Sequence, residues 1–226
     1  MIRATRLTKR YGAVDALVDV DLAVARGDSL GLVGPNGSGR TTLLRIAATL
    51  VAPTSGSIEI DGVDAVRHVY RVRARVAYVA SEPAGSEGLR VGEYFHLVLT
   101  TRKHSATDEI IEEAVDRAGL DRRSLCASLS GGMQQRLALG AALAARPDVL
   151  LLDDSLRALD SAARGRFVEW IGDARERGAA IMVATQSDDD VAALCTRVAR
   201  FDRGRLAGVS AVTRSGPSTR SVAGRR

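Results

Sequence analysis

Eight residues constrain this chain more than any others. Gly34-Pro-Asn-Gly-Ser-Gly-Arg-Thr41 follows the apolar run at 29–33 without a break and leads into residues 41–50, where apolar side chains recur at helical spacing. A glycine-rich turn between a strand and a helix start can wrap an anion. Gly34, Gly37 and Gly39 let the backbone bend sharply and approach closely, with Pro35, Asn36 and Ser38 between them. Successive N–H groups and the positive end of the helix then face a phosphate. The pattern G-x-x-x-x-G-K-[ST] is met at every position except one, where Arg40 stands in place of lysine.

The rest of the chain alternates strand and helix patterns. Period-two apolar residues at 2–7 and 17–24 predict half-buried strands, with a turn at 26–28. Residues 53–56 form a turn, 57–60 a strand, Asp61-Gly62 another turn, and 76–80 an apolar run. Helices are expected at 91–101 and 107–118, the second ending at Gly119, so that about 85–145 reads as a helix-rich insert. The uninterrupted apolar run 149–152 ends in Asp153-Asp154, the pattern of a parallel strand buried on both faces. A helix at 162–177, a strand at 180–185, a helix at 188–195 and a last strand at 197–202 complete an α/β reading.

With 226 residues, 46% of them hydrophobic, the chain can bury the core of one large domain with an inserted subdomain. Net charge is +5, but residues 209–226 hold Arg214, Arg220, Arg225 and Arg226 and no acid. These residues read as a basic disordered tail after a domain at 1–208, and the near-neutral remainder gives no reason to expect nucleic acid as a partner. All but Lys9 and Lys103 of the 32 basic residues are arginine, so Arg40 also fits a chain-wide preference. No apolar run approaches the roughly 20 residues of a membrane span, which predicts a cytoplasmic protein that meets a membrane only through a partner. Cys126 and Cys195 are too isolated for a zinc site and read as buried, reduced thiols.

If a phosphate sits in the loop, Thr41 would place its hydroxyl on Mg²⁺, Thr42 would lie by the α-phosphate, and Asp153 would orient a metal-bound water. Asp154 is then the candidate for activating or positioning an attacking water. Taken singly, the loop would serve as a tight turn and the two acids as a solvated strand end. Their order along the chain changes that, because Leu129-Ser-Gly-Gly-Met-Gln-Gln-Arg136 lies between them.

With that octapeptide, residues 2–208 resemble the ATP-binding subunit of ABC transporters, whose signature is LSGG followed by Gln or Met and a QR pair. The resemblance implies a P-loop NTPase core of ABC ATPase type, α/β, with an antiparallel β-subdomain and an inserted α-helical subdomain. It implies ATP and Mg²⁺ as cofactors and a head-to-tail dimer, in which Ser130, Gly131 and Gly132 face the γ-phosphate of the partner's nucleotide. Tyr11 would stack on adenine, the alternative being a loop aromatic closing on the sheet, and Asp160 would cross the dimer interface.

Four positions depart from the family's pattern, and all serve the nucleotide bound to the same chain. Arg40 replaces the loop lysine; Ser81 replaces a glutamine that senses Mg²⁺ and the membrane partner, and is too short to reach the metal without a water. Asp154 replaces a glutamate and Gln186 a histidine of the catalytic apparatus. Gln186 can donate a hydrogen bond but cannot carry a proton. The expected function is therefore an ATP-binding subunit, leaning to export, acting on a transmembrane permease subunit as a homodimer or with a consensus ABC ATPase partner, with slow hydrolysis in its own site. The alternative is a non-hydrolysing, ATP-dependent regulatory or binding module.

Overall fold

The computed structural model describes residues 1–82, 88–102 and 104–212. Two sheets are built in it. Strands β1 (Ile2–Tyr11), β2 (Val14–Val24), β4 (Ser55–Ile60) and β5 (Val63–Asp64) form an antiparallel sheet in the order β2-β1-β4-β5. Strands β3 (Ser29–Val33), β6 (Val76–Val79), β7 (Val149–Asp153), β8 (Ala180–Ala184), β9 (Arg197–Asp202) and β10 (Arg205–Ala211) form a second sheet in the order β10-β9-β3-β8-β7-β6. Its pairs are parallel except β9 with β10.

Burial follows directly from the pleat. Successive side chains leave a strand on opposite faces, and a strand covered on both sides must be apolar throughout. All five residues of β7 are buried, Asp153 included. Leu150, Leu152, Ile181 and Val183 pack on one side into a cluster with Phe95, Leu139 and Phe167 from the helices. Val149, Leu151, Met182 and Ala184 face the other side, where they meet Leu43, Leu44 and Ile46 of helix α1 (Arg40–Ala47) and Leu7, Leu17 and Ile58 of the antiparallel sheet. Each such fully buried aliphatic side chain contributes about 1.5–3 kcal/mol relative to exposure.

Helix α2 (Val69–Arg73) is short, and helices α3 (Val91–Thr101), α4 (Asp108–Ala118) and α5 (Gly131–Ala144) lie between β6 and its sheet neighbour β7. Thr107 caps α4 by accepting from the Ile110 N–H, and Gly119 ends it in the left-handed region, as the sequence predicts. Helices α6 (Ser161–Glu176) and α7 (Asp188–Leu194) follow.

Three expectations need correction. Residues 197–202 are not the last strand: β10 follows, because Gly204 turns the chain back and β10 pairs antiparallel with β9. Order also extends past residue 208, since β10 runs to Ala211 and the Val212 N–H donates to the Thr196 carbonyl. Residues 213–226, the rest of the expected tail, lie outside the described residues. Finally, α1 ends at Ala47 rather than near 50, with Thr49 at φ 59° breaking the helix.

Candidate functional site: a phosphate loop joined to two strand ends

The loop leaves β3 and turns through Gly34, Gly37 and Gly39 into α1, with φ values of 155°, 76° and 103°. Close approach dictates the glycines. A Cβ on Gly34 would lie 2.2 Å from the Phe201 carbonyl oxygen, and one on Gly39 would lie 2.4 Å from that of Ala16. No side chain caps α1 at Gly39, and the Leu43 N–H is the one that reaches back to the Gly39 carbonyl, at 3.0 Å. The amides of Arg40, Thr41 and Thr42 are therefore the orphan donors of an uncapped helix start, a ready anion site. Ser38 Oγ is also buried without a partner among the described residues.

Beside this cradle lies a hard-oxygen corner. Thr41 Oγ1 donates to Asp153 Oδ1 at 2.8 Å, and the Tyr78 hydroxyl donates to Asp153 Oδ2 at 2.9 Å. Asp153 reaches this position because it ends β7, next to α1 across the sheet. Tyr78 reaches it because β6 pairs with β7 in parallel, Tyr78 opposite Leu151. Burial, followed by the charge of Asp153, pushes the Tyr78 hydroxyl up to about 12, so it stays a proton donor. The sequence reading missed Tyr78. Within an apolar strand a tyrosine looks like packing, and its face of the strand was its one available signal.

The donor set suits a polyphosphate with a divalent cation. Amides and a helix start take the anion, while a threonine hydroxyl and a carboxylate offer oxygen to a hard metal. Among the described residues no group of three or more His, Cys, Asp or Glu could hold a metal alone. Mg²⁺ ordinarily binds through one or two protein oxygens plus phosphate and water, and Thr41 and Asp153 could supply those oxygens. Ser81, expected near the metal, is exposed just past β6 and bonds neither Thr41 nor Asp153 among the described residues.

The strand ends β7 and β8 bring in the other departures from the pattern. Asp154 is held at φ 47°, its N–H donating to the Ala184 carbonyl at 2.9 Å. Burial raises its carboxyl above the usual range, although the positive charge of Arg40 opposes this. Gln186 follows β8 and donates from Nε2 to Asn36 Oδ1 of the loop at 2.6 Å. Arg40 is buried, and its Nη1 donates to the Thr185 carbonyl at 2.8 Å.

The remaining sequence candidates sit apart from this cluster. Ser130 caps α5 by accepting from the Met133 N–H at 3.3 Å, with Gly131 exposed in the first turn and Gly132 packed close to the Ala158 carbonyl. Asp160 caps α6, accepting from the Ala163 N–H at 2.8 Å, and pairs with Arg136 of the signature helix α5. The Ala163 N–H and the neighbouring arginine lower its carboxyl. Gln135 is buried in α5 and donates to the Ala80 carbonyl at 3.2 Å, tying the signature helix to the segment that carries Ser81. Tyr11 ends β1, 45% exposed, with the Lys9 ammonium 4.9 Å from its ring centre.

A phosphate loop opening α1, the Thr41–Asp153 corner and a capped Ser-Gly-Gly helix define an ATP-binding cassette. Residues 17–157 match the model of the ABC transporter family, and the chain belongs to that family. It is 35% identical over 204 residues to the daunorubicin resistance ATP-binding protein DrrA3 of Streptomyces coeruleorubidus, covering 88% of this chain and 64% of the relative. It is 39% identical over 175 residues to the sulfate/thiosulfate import ATP-binding protein CysA of Synechococcus elongatus, covering 75% of this chain and 50% of the relative. The chain thus spans just under two thirds of the first relative and half of the second. The dimeric structure of a bacterial ABC transporter cassette superimposes with a TM-score of 0.85 at 27% identity, covering 96% of this chain and 100% of that one. The ATP-binding subunit of an ABC transporter gives a TM-score of 0.86 at 24% identity, covering 94% and 90%, and supports the fold. The expected α/β cassette of ABC ATPase type is thereby borne out.

Proposed function

We propose that the chain is the ATP-hydrolysing subunit of an ABC transporter, binding Mg²⁺-ATP in its loop and acting on a separate transmembrane permease subunit. The observation that carries this is the 2.8 Å bond from Thr41 to Asp153 beneath the uncapped start of α1, which assembles a metal corner beside an anion cradle. Mg²⁺ would supply charge neutralisation on the β- and γ-phosphates. Thr41 and Asp153 hold that charge in place, the loop amides grip the phosphates, and Asp154 orients or deprotonates the attacking water. Gln186 offers its amide as a neutral hydrogen-bond donor.

Dimerisation is part of the proposal. Ser130 and Gly131 are exposed at a helix start, suited to a phosphate presented by a second cassette, and dimeric cassettes share this fold. The partner is a second copy or a consensus cassette. Among the described residues no helix is long and apolar enough to cross a membrane; the proposal places the chain at the cytoplasmic face of a permease. The export reading is taken from the two daunorubicin resistance relatives, which align over 88% and 90% of this chain, while sulfate/thiosulfate import relatives align over 75% to 96%.

Slow hydrolysis in the chain's own site is the finer part of the reading. Asp154 is one methylene shorter than glutamate, and a displacement of about 1 Å can lower a rate about 10²-fold. The test is single-turnover hydrolysis beside equilibrium ATP binding, for the natural chain and for Asp154→Glu with Gln186→His. Binding with slow turnover, accelerated by the two changes, is expected. Ordinary turnover in the natural chain would discard the slow-site reading, and loss of ATP binding would discard the whole proposal.

A further inference from the structure

Three of the four departures from the family's pattern converge on three consecutive residues at the end of β8. The Ala184 carbonyl accepts from the Asp154 N–H at 2.9 Å, the Thr185 carbonyl from Arg40 Nη1 at 2.8 Å, and Gln186 Nε2 donates to Asn36 Oδ1 at 2.6 Å. Two of these ties end in the phosphate loop, at Asn36 in its middle and at Arg40 where α1 begins. The Thr185 hydroxyl is itself committed, donating to Asp190 Oδ2 at 2.9 Å, and Asp190 also accepts from Arg164 Nε at 2.9 Å. The segment is therefore gripped from the loop on one side and from α6 and α7 on the other.

The chemistry of the substituted residues suits this arrangement. Arg40 is only 7% exposed, and a buried guanidinium needs its N–H groups engaged. Its rigid fork can give one N–H to a backbone carbonyl and keep its charge near Asp154, a division that the compact, strongly hydrated ammonium of lysine performs poorly. Gln186 adds a tie that does not titrate, because an amide donates at any pH.

We propose that Arg40 is a positioning residue for residues 184–186, fastening that segment to the phosphate loop together with the Gln186–Asn36 bond. The position of the loop then sets the position of Gln186 and, through Ala184, that of the Asp154 backbone. This rests on the reading of the loop as a nucleotide site, but the ties themselves exist in the protein alone. They can be measured without nucleotide.

The experiment is amide hydrogen exchange on the full chain without nucleotide, comparing the natural protein with Arg40→Met and Asn36→Ala, with ATP binding followed separately. Each variant removes one tie. The expected result is exchange about five-fold faster across 184–187 in each, the size of one lost hydrogen bond, with 149–153 in β7 unchanged. The double variant should depart from the product of the single effects, since both ties hold one segment. Unchanged exchange across 184–187 in Arg40→Met, with only ATP affinity reduced, would make Arg40 a simple phosphate cation and overturn the proposal. Should Arg40→Met lose protection throughout, Arg40→Lys, which keeps the charge and lacks the fork, decides: unchanged exchange across 184–187 overturns the proposal and faster exchange confined there supports it. Failure of the natural chain to bind ATP would remove the nucleotide reading, while the exchange comparison would still decide the ties.

Discussion

Tyr78 and Thr41 hold the two oxygens of one carboxylate: the tyrosine hydroxyl donates to Asp153 Oδ2 at 2.9 Å and the threonine hydroxyl to Oδ1 at 2.8 Å. A carboxylate fixed at both oxygens presents a defined edge to a cation, and such supporting bonds govern metal affinity. Tyr78→Phe keeps the ring and removes the donor. The Mg²⁺ concentration for half-maximal ATP turnover should rise about ten-fold, while ATP binding in the absence of metal is unchanged. A Mg²⁺ titration at saturating ATP checks it.

Gly39 and Gly37 should respond differently to alanine although both have positive φ. At Gly39 a Cβ would sit 2.4 Å from the Ala16 carbonyl, whereas at Gly37 nothing lies within 4 Å. Gly37→Ala should cost about 1–2 kcal/mol from backbone conformation alone. Gly39→Ala adds the collision with the antiparallel sheet and should cost more and displace the loop, so thermal unfolding and ATP binding both fall. Equal losses at the two positions would contradict the close packing of the loop on β2.

The Ser130 cap joins stability to assembly. Its hydroxyl accepts from the Met133 N–H at the start of α5, and its removal in Ser130→Ala should destabilise the chain by about 1 kcal/mol. In the proposed dimer the same hydroxyl would face the partner's phosphate, so the loss of ATP-driven dimerisation should exceed that. Sedimentation of a hydrolysis-deficient background with and without ATP separates the two effects.

A pH dependence is expected where β3 meets β9. Asp28 accepts from Arg197 Nε at 2.9 Å and also pairs with Thr196. Burial raises the Asp28 carboxyl, but these bonds outweigh it and leave the group below its ordinary value of 3.8. The unfolded chain then binds more protons as the medium is acidified, so this stabilisation is complete above 3.8 and disappears as pH falls through the lower folded value. Asp28→Asn should lower stability by about 2 kcal/mol at pH 7 and much less in strong acid. Urea unfolding at both pH values measures the difference.

Most of the elements were legible because their patterns are local. The apolar run at 149–152, the helix at 91–101 and the Thr107 and Gly119 boundaries of α4 each depend on residues within one or two turns. Where local patterns misled, a tertiary contact had intervened. The segment after Asp202 has exposed, weakly patterned residues, and it becomes β10 because β9 offers a free edge.

By itself the sequence determined the strand, glycine loop and helix, the Ser-Gly-Gly cap and the acidic end of β7, since each is a short stretch whose residue types dictate backbone geometry. Only the tertiary structure decided what those groups touch. Thr41 and Asp153 lie 112 residues apart, Tyr78 and Asp153 75, and Arg40 and Thr185 145. They meet because parallel strands β6, β7 and β8 end at the same edge of the sheet as the loop. The order of strands in a sheet is set by the packing of its two faces, which no local spacing records.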